Sequence, residues 1–218
     1  MADRLIAIGD IHGCDRALRG LLRAIAPEAS DTLVFLGDFV DRGPNPRQVI
    51  EIILQLQEIT RVVAIKGNHE EMLEAVIQHK LDLSMWLKHG GLSTLDSYEF
   101  VGELDFLPAA HAAFFADLLD YFEQDNFFFT HAAYDPLTDL PEQPWEELRW
   151  HSLREEVPAP HSSGKTAIVG HTANPTGDCV DLGHLICIDT FCYGGGFLTA
   201  LDVHRRAVWQ AKNDGTLR

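Results

Sequence analysis

The chain has 218 residues, with 33 acidic side chains against 17 basic ones and a formal net charge of −16. A chain of this length can bury one sizeable core, and because no Pro-, Ser- or Gly-rich linker divides it, we predict a single domain over residues 1–218. Proteins that bind the phosphate backbone of nucleic acids usually carry a basic stripe, so the acidic charge argues against nucleic acid as a partner.

The beginning of the chain predicts a cytoplasmic protein. The first apolar run, residues 5–8, leads directly into a glycine-containing motif and leaves no room for a signal peptide. No apolar stretch approaches the ~20 residues that cross a membrane, so we expect no membrane contact. The four cysteines lack paired C-x-x-C spacing, which favours reduced thiols over disulfides or a thiolate zinc site.

Short apolar runs rich in β-branched or aromatic residues predict buried strands. They lie at residues 5–8, 32–36, 62–65, 127–129, 167–169 and 185–188. Between the first of these runs, apolar residues repeat at helical spacing, and Asn45 followed by Pro46 predicts the start of the second helix. Alternating strands and helices predict an α/β architecture with parallel pairing in the first third of the chain.

The later segments are less regular. Residues 71–122 have a mostly helical pattern, in which Gly90-Gly91 predicts a helix stop followed by a loop. Several prolines in residues 136–160 predict a long loop. After Phe197, alternating apolar residues that are interrupted at residues 204–205 predict a C-terminal antiparallel hairpin.

Polar side chains follow five of the predicted strands. In open α/β sheets ligands bind beyond the carboxyl ends of the strands, so we expect these side chains to converge at one edge. In chain order they are Asp10 and His12, then Asp38, Asp41 and Arg42, then Asn68 and His69, then His131, and finally His171.

The side-chain types at these strand ends indicate a class of metal. Carboxylates, imidazoles and an amide, without a thiolate, suit manganese, iron or zinc and suit neither a structural cysteine site nor an all-oxygen calcium site. Two ions held about 3.5–4 Å apart can clamp the attacking and leaving oxygens of an in-line displacement and lower the pKa of a bridging water. The residues therefore predict hydrolysis of phosphate esters.

The ordered motifs resemble a known family. GDIHG at residues 9–13, GDFVDRGP at 37–44, GNHE at 67–70, the strand-end His131 and GHT at 170–172 are similar to the phosphoprotein phosphatase branch of the calcineurin-like metallophosphoesterases. The likeness is closest to small bacterial and bacteriophage-lambda type serine/threonine protein phosphatases. It implies an α/β fold with two central mixed β-sheets flanked by helices, an αββα sandwich, with a dinuclear metal site at the rim.

The resemblance also implies the metal ligands. Two divalent ions are expected, with Mn²⁺ as the first choice and iron or zinc as alternatives. The first ion would be bound by Asp10 and His12 and the second by Asn68, His131 and His171. Asp38 would bridge the two ions.

The remaining residues are implied to act on the phosphate. His69 would protonate the leaving group and be oriented by Asp41, while Arg42 would bind phosphate oxygens. A second phosphate-binding arginine is expected near a tryptophan, where the spacing departs from the family pattern. Arg154 is our prediction for this second arginine, and Arg149 is the alternative.

These roles predict a phosphomonoesterase of the phosphoserine/phosphothreonine protein phosphatase type, acting by direct attack of a hydroxide that bridges the metals. One alternative is a phosphoanhydride hydrolase of the symmetrical dinucleoside-tetraphosphatase or polyphosphate type, although the chain shows no added subdomain for a nucleobase. The other alternative is a non-catalytic metal-binding scaffold. We expect a monomer whose partner is a phosphorylated protein, a phosphorylated peptide or a small phosphorylated molecule.

Overall fold

Two mixed β-sheets form the centre of the protein in the computed structural model, which describes residues 3–218. In chain order the strands are β1 (Leu5–Ile8), β2 (Thr32–Phe35), β3 (Arg61–Ala64), β4 (Tyr121–Gln124), β5 (Phe127–Thr130), β6 (Thr166–Val169), β7 (Val180–Asp181), β8 (Leu185–Cys187), β9 (Leu198–Asp202) and β10 (Ala207–Ala211). The order in one sheet is β10-β9-β1-β2-β3, and in the other it is β4-β5-β6-β8-β7.

Parallel pairing dominates the centre of both sheets. β1, β2 and β3 are parallel, as are β5, β6 and β8, whereas β4, β7, β9 and β10 pair antiparallel with their neighbours. The predicted α/β class and the two mixed sheets are confirmed. The predicted C-terminal hairpin corresponds to β9 and β10.

Seven helices lie between the strands of the described residues. They are α1 (Asp15–Ile25), α2 (Pro46–Leu56), α3 (Asn68–Ile77), α4 (Leu83–Leu87), α5 (Gly91–Ser97), α6 (Ala109–Ala116) and α7 (Trp145–Arg149). α2 begins at Pro46 as predicted, but the Asn45 side chain donates to Asp15 Oδ1 at 2.9 Å instead of capping the helix. Among residues 3–218, no helix has both the length and the apolarity needed to cross a membrane.

The apolar runs are continuous because both faces of the strands are buried. Successive residues of a strand point to opposite faces. In β1, Ile6 and Ile8 pack in a cluster with residues of α1 and α2, whereas Leu5 and Ala7 pack in a second cluster that includes strands of the other sheet. This arrangement gives the layered packing of helices on two central sheets and aligns the ends of β1, β2 and β3.

Several local predictions differ from the structure. The sequence predicts a mostly helical segment at 71–122, but the last two residues of this segment belong to β4. The sequence also gives no prediction of β7. Both are edge strands whose residues are largely half-buried or exposed, so their apolar pattern is weak. The predicted loop at 136–160 contains α7 and a short 3₁₀ turn. Gly90, with φ of 105°, ends the three-residue turn 88–90 after α4, but α5 begins directly at Gly91, so a helix and not a loop follows.

Candidate metal centre

The strand ends converge as predicted, with Asp38 at the centre. Asp38 Oδ2 lies 3.3 Å from His12 Nε2, and Asp38 Oδ1 lies 3.4 Å from His131 Nε2. His171 Nδ1 lies 3.2 Å from His131 Nε2. Two groups of ligand atoms are close enough to hold an ion, namely His12, Asp38 and His69, and Asp38, His131 and His171. Asp38 belongs to both groups.

The two other predicted ligands lie at the same site. Asn68 Oδ1 is 3.2 Å from His131 Nε2. The carboxylate of Asp10 accepts the backbone N–H of His171 at 2.9 and 3.2 Å and is not a member of either group of ligand atoms. Gly170 permits this close approach, because any Cβ there would overlap Asp10 Oδ1.

Backbone carbonyls orient the three histidines. In each ring one nitrogen donates to a carbonyl, so the other nitrogen presents its lone pair to the centre. The pairs are His12 Nδ1 with Val40 (2.9 Å), His131 Nδ1 with Leu36 (2.7 Å) and His171 Nε2 with Trp150 (3.1 Å).

The charge pattern of these side chains fits divalent cations. The lone pairs of the histidine rings and the carboxylate oxygens face one another at short range. Burial lowers the pKa of His12 and His131 well below the usual value, which keeps these two rings neutral. Burial also raises the pKa of Asp10 and Asp38 well above the usual value. Neutral imidazoles and closely spaced carboxylates are stabilised together by a bound cation, so the residues present fit a pair of metal ions.

A buried histidine–aspartate pair lies beside these ligands. His69 Nδ1 donates to Asp41 Oδ2 at 2.6 Å, and the same carboxylate accepts from Trp86 Nε1 at 2.8 Å and from Thr94 Oγ1 at 2.6 Å. Burial raises the pKa of Asp41 to about 7, although the hydrogen bonds from Thr94 and Trp86 act in the opposite direction. Among the side-chain atoms of residues 3–218, the buried His69 Nε2 is one of those without a hydrogen-bond partner, and it lies 3.9 Å from Asp38 Oδ2.

Arg42 contacts Nε2 of His12, the ring nitrogen that is not bonded to the backbone carbonyl of Val40. Its Nη1 is 3.1 Å from His12 Nε2, and its guanidinium carbon lies 4.5 Å from the centroid of the Tyr193 ring. A planar guanidinium stacked on an aromatic ring is held in orientation and keeps its N–H groups available for phosphate oxygens. The sequence indicated no role for Tyr193.

The two candidates for the second arginine have different environments. Arg149 pairs with Glu71 at 2.9 Å and also with Asp120, so acidic partners already bind its guanidinium. Arg154 is exposed and donates to the carbonyl of Ala173. Burial, together with the charges of Arg42 and Arg154, lowers the pKa of His171 to about 4. The choice of Arg154 stays a prediction.

Glu70 has a structural role that sequence reasoning missed. Its buried carboxylate accepts the backbone N–H groups of Asp38 (2.9 Å), Phe39 (2.8 Å), Val40 (3.2 Å) and Gly67 (3.0 Å). Glu at the third position of a helix is typical of a capping box, and this pattern was the available signal. Glu70 thereby joins the start of α3 to the loop that carries Asp38.

Asp189 was also missed. It is buried, its charge raises the pKa of Asp10, and burial raises its own pKa to about 6. Asp189 directly follows the predicted strand at 185–188, so the strand-end argument used for the other five strands would have found it.

Comparisons with known proteins agree with this geometry. The sequence pattern of the Calcineurin-like phosphoesterase family matches residues 3–205. A bis(5'-nucleosyl)-tetraphosphatase (symmetrical) from Burkholderia pseudomallei strain 668 is 36% identical over 99 residues, which are 45% of this chain and 30% of that protein. The chain thus matches less than a third of the length of this curated relative.

Two solved structures share the fold. A candidate diadenosine tetraphosphatase has a TM-score of 0.72 at 22% identity, covering 95% of this chain and 92% of that one. A cold-active protein-tyrosine phosphatase from a psychrophilic Shewanella species has a TM-score of 0.70 at 15% identity, covering 100% and 80%. With the family match over nearly the whole chain and the convergent ligand set, the protein belongs to the calcineurin-like phosphoesterases, which are metal-dependent hydrolases.

Proposed function

We propose that this hydrolase acts on phosphomonoesters with an alkoxide leaving group, as a phosphoserine/phosphothreonine protein phosphatase does. The observation that carries the proposal is the buried pair of His69 and Asp41, with His69 Nε2 unpartnered beside Asp38. An alkoxide is a poor leaving group unless it receives a proton, whereas a phosphate released from an anhydride needs little help. The pair therefore favours ester substrates over anhydrides.

We propose the ligand assignment that the family resemblance implies. Asp10 and His12 would hold one ion, Asp38 would bridge, and the second ion would be held by Asn68, His131 and His171. The membership of Asp38 in both groups of ligand atoms supports the bridging role. When bound, divalent ions, expected to be Mn²⁺, supply electrophilic activation of the phosphate and a lowered pKa for the attacking water.

The protein side chains then position and protonate the substrate. As an imidazolium that donates Nδ1–H to the Asp41 carboxylate, His69 would give the proton at Nε2 to the leaving oxygen and become neutral, while Asp41 fixes the ring. Arg42, stacked on Tyr193, can meet two phosphate oxygens with its planar fork. Arg154 would supply the second guanidinium.

A symmetrical dinucleoside-tetraphosphatase is the second candidate. It is favoured by the 36% identity to a curated relative of that name over 99 residues. The two candidates differ in their need for a general acid, so His69 is the residue that distinguishes them.

The experiment uses manganese-loaded protein and the variant His69→Asn, with His79→Asn as control. His79 is exposed just beyond the end of the same helix. On a phosphothreonine peptide, His69→Asn should lose about 10²- to 10⁴-fold in kcat with its metal content unchanged, because that is the usual contribution of a general acid. His79→Asn should behave like the wild type.

Three results would contradict the proposal. Unchanged turnover of the peptide by His69→Asn with metal still bound would exclude His69 as the acid. Loss of metal from that variant would make His69 a ligand, which its membership in one group of ligand atoms permits. A wild-type kcat/KM for diadenosine tetraphosphate that exceeds that for the peptide by about 100-fold or more would favour the second candidate.

A further inference from the structure

A side pocket of about 300 Å³ has an apolar wall formed by Met72, Ala75, Leu81, Met85 and Trp150. Met72 is buried, whereas Met85 and Trp150 keep 45% and 37% of their surface exposed. Large apolar side chains that stay exposed together around a concave surface are typical of a site that binds an apolar group.

The side pocket adjoins the metal centre through two of its lining residues, Trp150 and His89. The backbone carbonyl of Trp150 accepts from His171 Nε2 at 3.1 Å. His89 also lines the pocket, and the next residue, Gly90, accepts the backbone N–H of Arg42 at 3.2 Å. The side pocket therefore lies beside the place where Arg42 and the metal ligands would hold a phosphate.

We propose that the side pocket binds a bulky apolar side chain, such as leucine, methionine or phenylalanine, next to the phosphorylated residue of a peptide substrate. This rests on the proposed phosphomonoesterase function and adds a sequence preference to it. The flexible thioethers of Met72 and Met85 can adapt to apolar side chains of different shapes.

The polar groups of the side pocket suit a peptide side chain better than a nucleobase. A buried base must pair its ring nitrogens and amino group, and each unpaired group weakens binding. Glu71 Oε2 already accepts from Arg149 at 2.9 Å and from the Trp150 indole at 3.3 Å, and Lys80 offers only donors, so Glu71 Oε1 and the exposed His89 are the remaining polar groups for a base. The net charge of −16 also repels a substrate with four phosphates more strongly than a peptide with one.

The test uses two phosphothreonine peptides that differ only in having leucine or alanine on both sides of the phosphothreonine. We expect manganese-loaded wild type to prefer the leucine peptide by about 10-fold in kcat/KM, as partial burial of one apolar side chain predicts. Met85→Ser should reduce this preference to about threefold or less, and the conservative Met85→Leu should retain it. The ratio between peptides cancels any general loss of activity.

Leu87→Ser is the matched control. Leu87 lies on α4 with Met85, is 36% exposed and is outside the residues that line the side pocket. This variant should keep the full preference for the leucine peptide.

The outcomes separate this inference from the proposed function. If the wild type hydrolyses p-nitrophenyl phosphate but shows equal kcat/KM for both peptides, the side-pocket assignment is wrong and the phosphomonoesterase proposal stands. If no phosphomonoester is hydrolysed, both are wrong. If Met85→Ser lowers kcat/KM for diadenosine tetraphosphate but not for the leucine peptide, the pocket holds a nucleobase and the inference is overturned.

Discussion

Replacing Glu70 by glutamine tests how the loop that carries Asp38 is held. Glu70 Oε1 accepts from the N–H groups of Phe39 and Val40, and Oε2 accepts from those of Asp38 and Gly67. In glutamine an NH₂ group replaces one of the two oxygens. In either orientation that NH₂ faces two buried N–H donors, which then have no acceptor.

The expected loss of stability follows from these contacts. Each buried donor left without an acceptor costs about 1–3 kcal/mol. Because relaxation of the loop recovers part of this, we expect Glu70→Gln to lower the free energy of unfolding by about 3 kcal/mol. The control is Glu74→Gln on the same helix, where a partly exposed ion pair with Lys66 Nζ at 2.8 Å is lost. Such pairs contribute about 0–1 kcal/mol.

The assay is urea unfolding at pH 8 with a chelator, so that metal binding does not contribute. Burial raises the pKa of Glu70 to about 7, although four backbone N–H groups oppose the shift, so at pH 8 its carboxyl is mostly ionised. Titration with Mn²⁺ should then show at least about 10-fold weaker binding by Glu70→Gln, because the loop no longer holds Asp38. Losses of stability that agree within about 0.5 kcal/mol for the two variants would refute the reasoning.

Two further predictions concern buried hydrogen bonds. Thr94→Val removes a hydrogen-bond donor to Asp41 and should lower kcat on a phosphothreonine peptide by about 10-fold. The control is Thr60→Val, which removes an equally buried hydrogen bond to the carbonyl of Asp31 and should lower stability but leave kcat unchanged. Steady-state kinetics of both variants check this prediction. Asp31→Asn should destabilise the protein by about 2 kcal/mol at pH 7, because it weakens the paired hydrogen bonds from Arg4. Those bonds lower the pKa of Asp31 below 3.8, so the stability they add is complete above that pH and is lost as the pH falls through the folded-state pKa. The melting temperatures of wild type and Asp31→Asn should therefore converge as the pH is lowered below 3.8, and a constant gap would contradict this.

The strand ends were predictable because the strands before them are buried on both faces. Each apolar run is continuous there, so β1, β2 and β3 lie within one residue of their predicted bounds. The partners of Asp41 were not predictable, since Trp86 and Thr94 lie 45 and 53 residues away on α4 and α5. Periodicity reports only local structure, and it contains no information about which helix will cover a given loop.

The ambiguity between Arg149 and Arg154 has a related cause. Residues 136–160 were predicted as a loop, in which either arginine is equally able to reach the site. α7 instead places Arg149 where Glu71 and Asp120 bind it, and leaves Arg154 in the following segment near the end of β6. A five-residue helix is too short to give a clear periodic signal, so the difference between the two residues arises only from tertiary contacts.

The backbone at the metal centre explains why the strands stop where they do. His12, Asp38, Asp41, Arg42 and His171 all have positive φ, between 45° and 68°, a conformation that non-glycine residues rarely adopt. Each such residue costs roughly 1 kcal/mol or more, so the chain adopts these turns only where other contacts hold them. The turns end the extended strands and direct the following side chains back over the sheet edge. Two kinds of contact can offset that cost: the buried backbone hydrogen bonds to the Glu70 carboxylate, and the bonds to the metal ions that the converging ligands fit. We therefore expect folding of the loops and metal binding to be coupled.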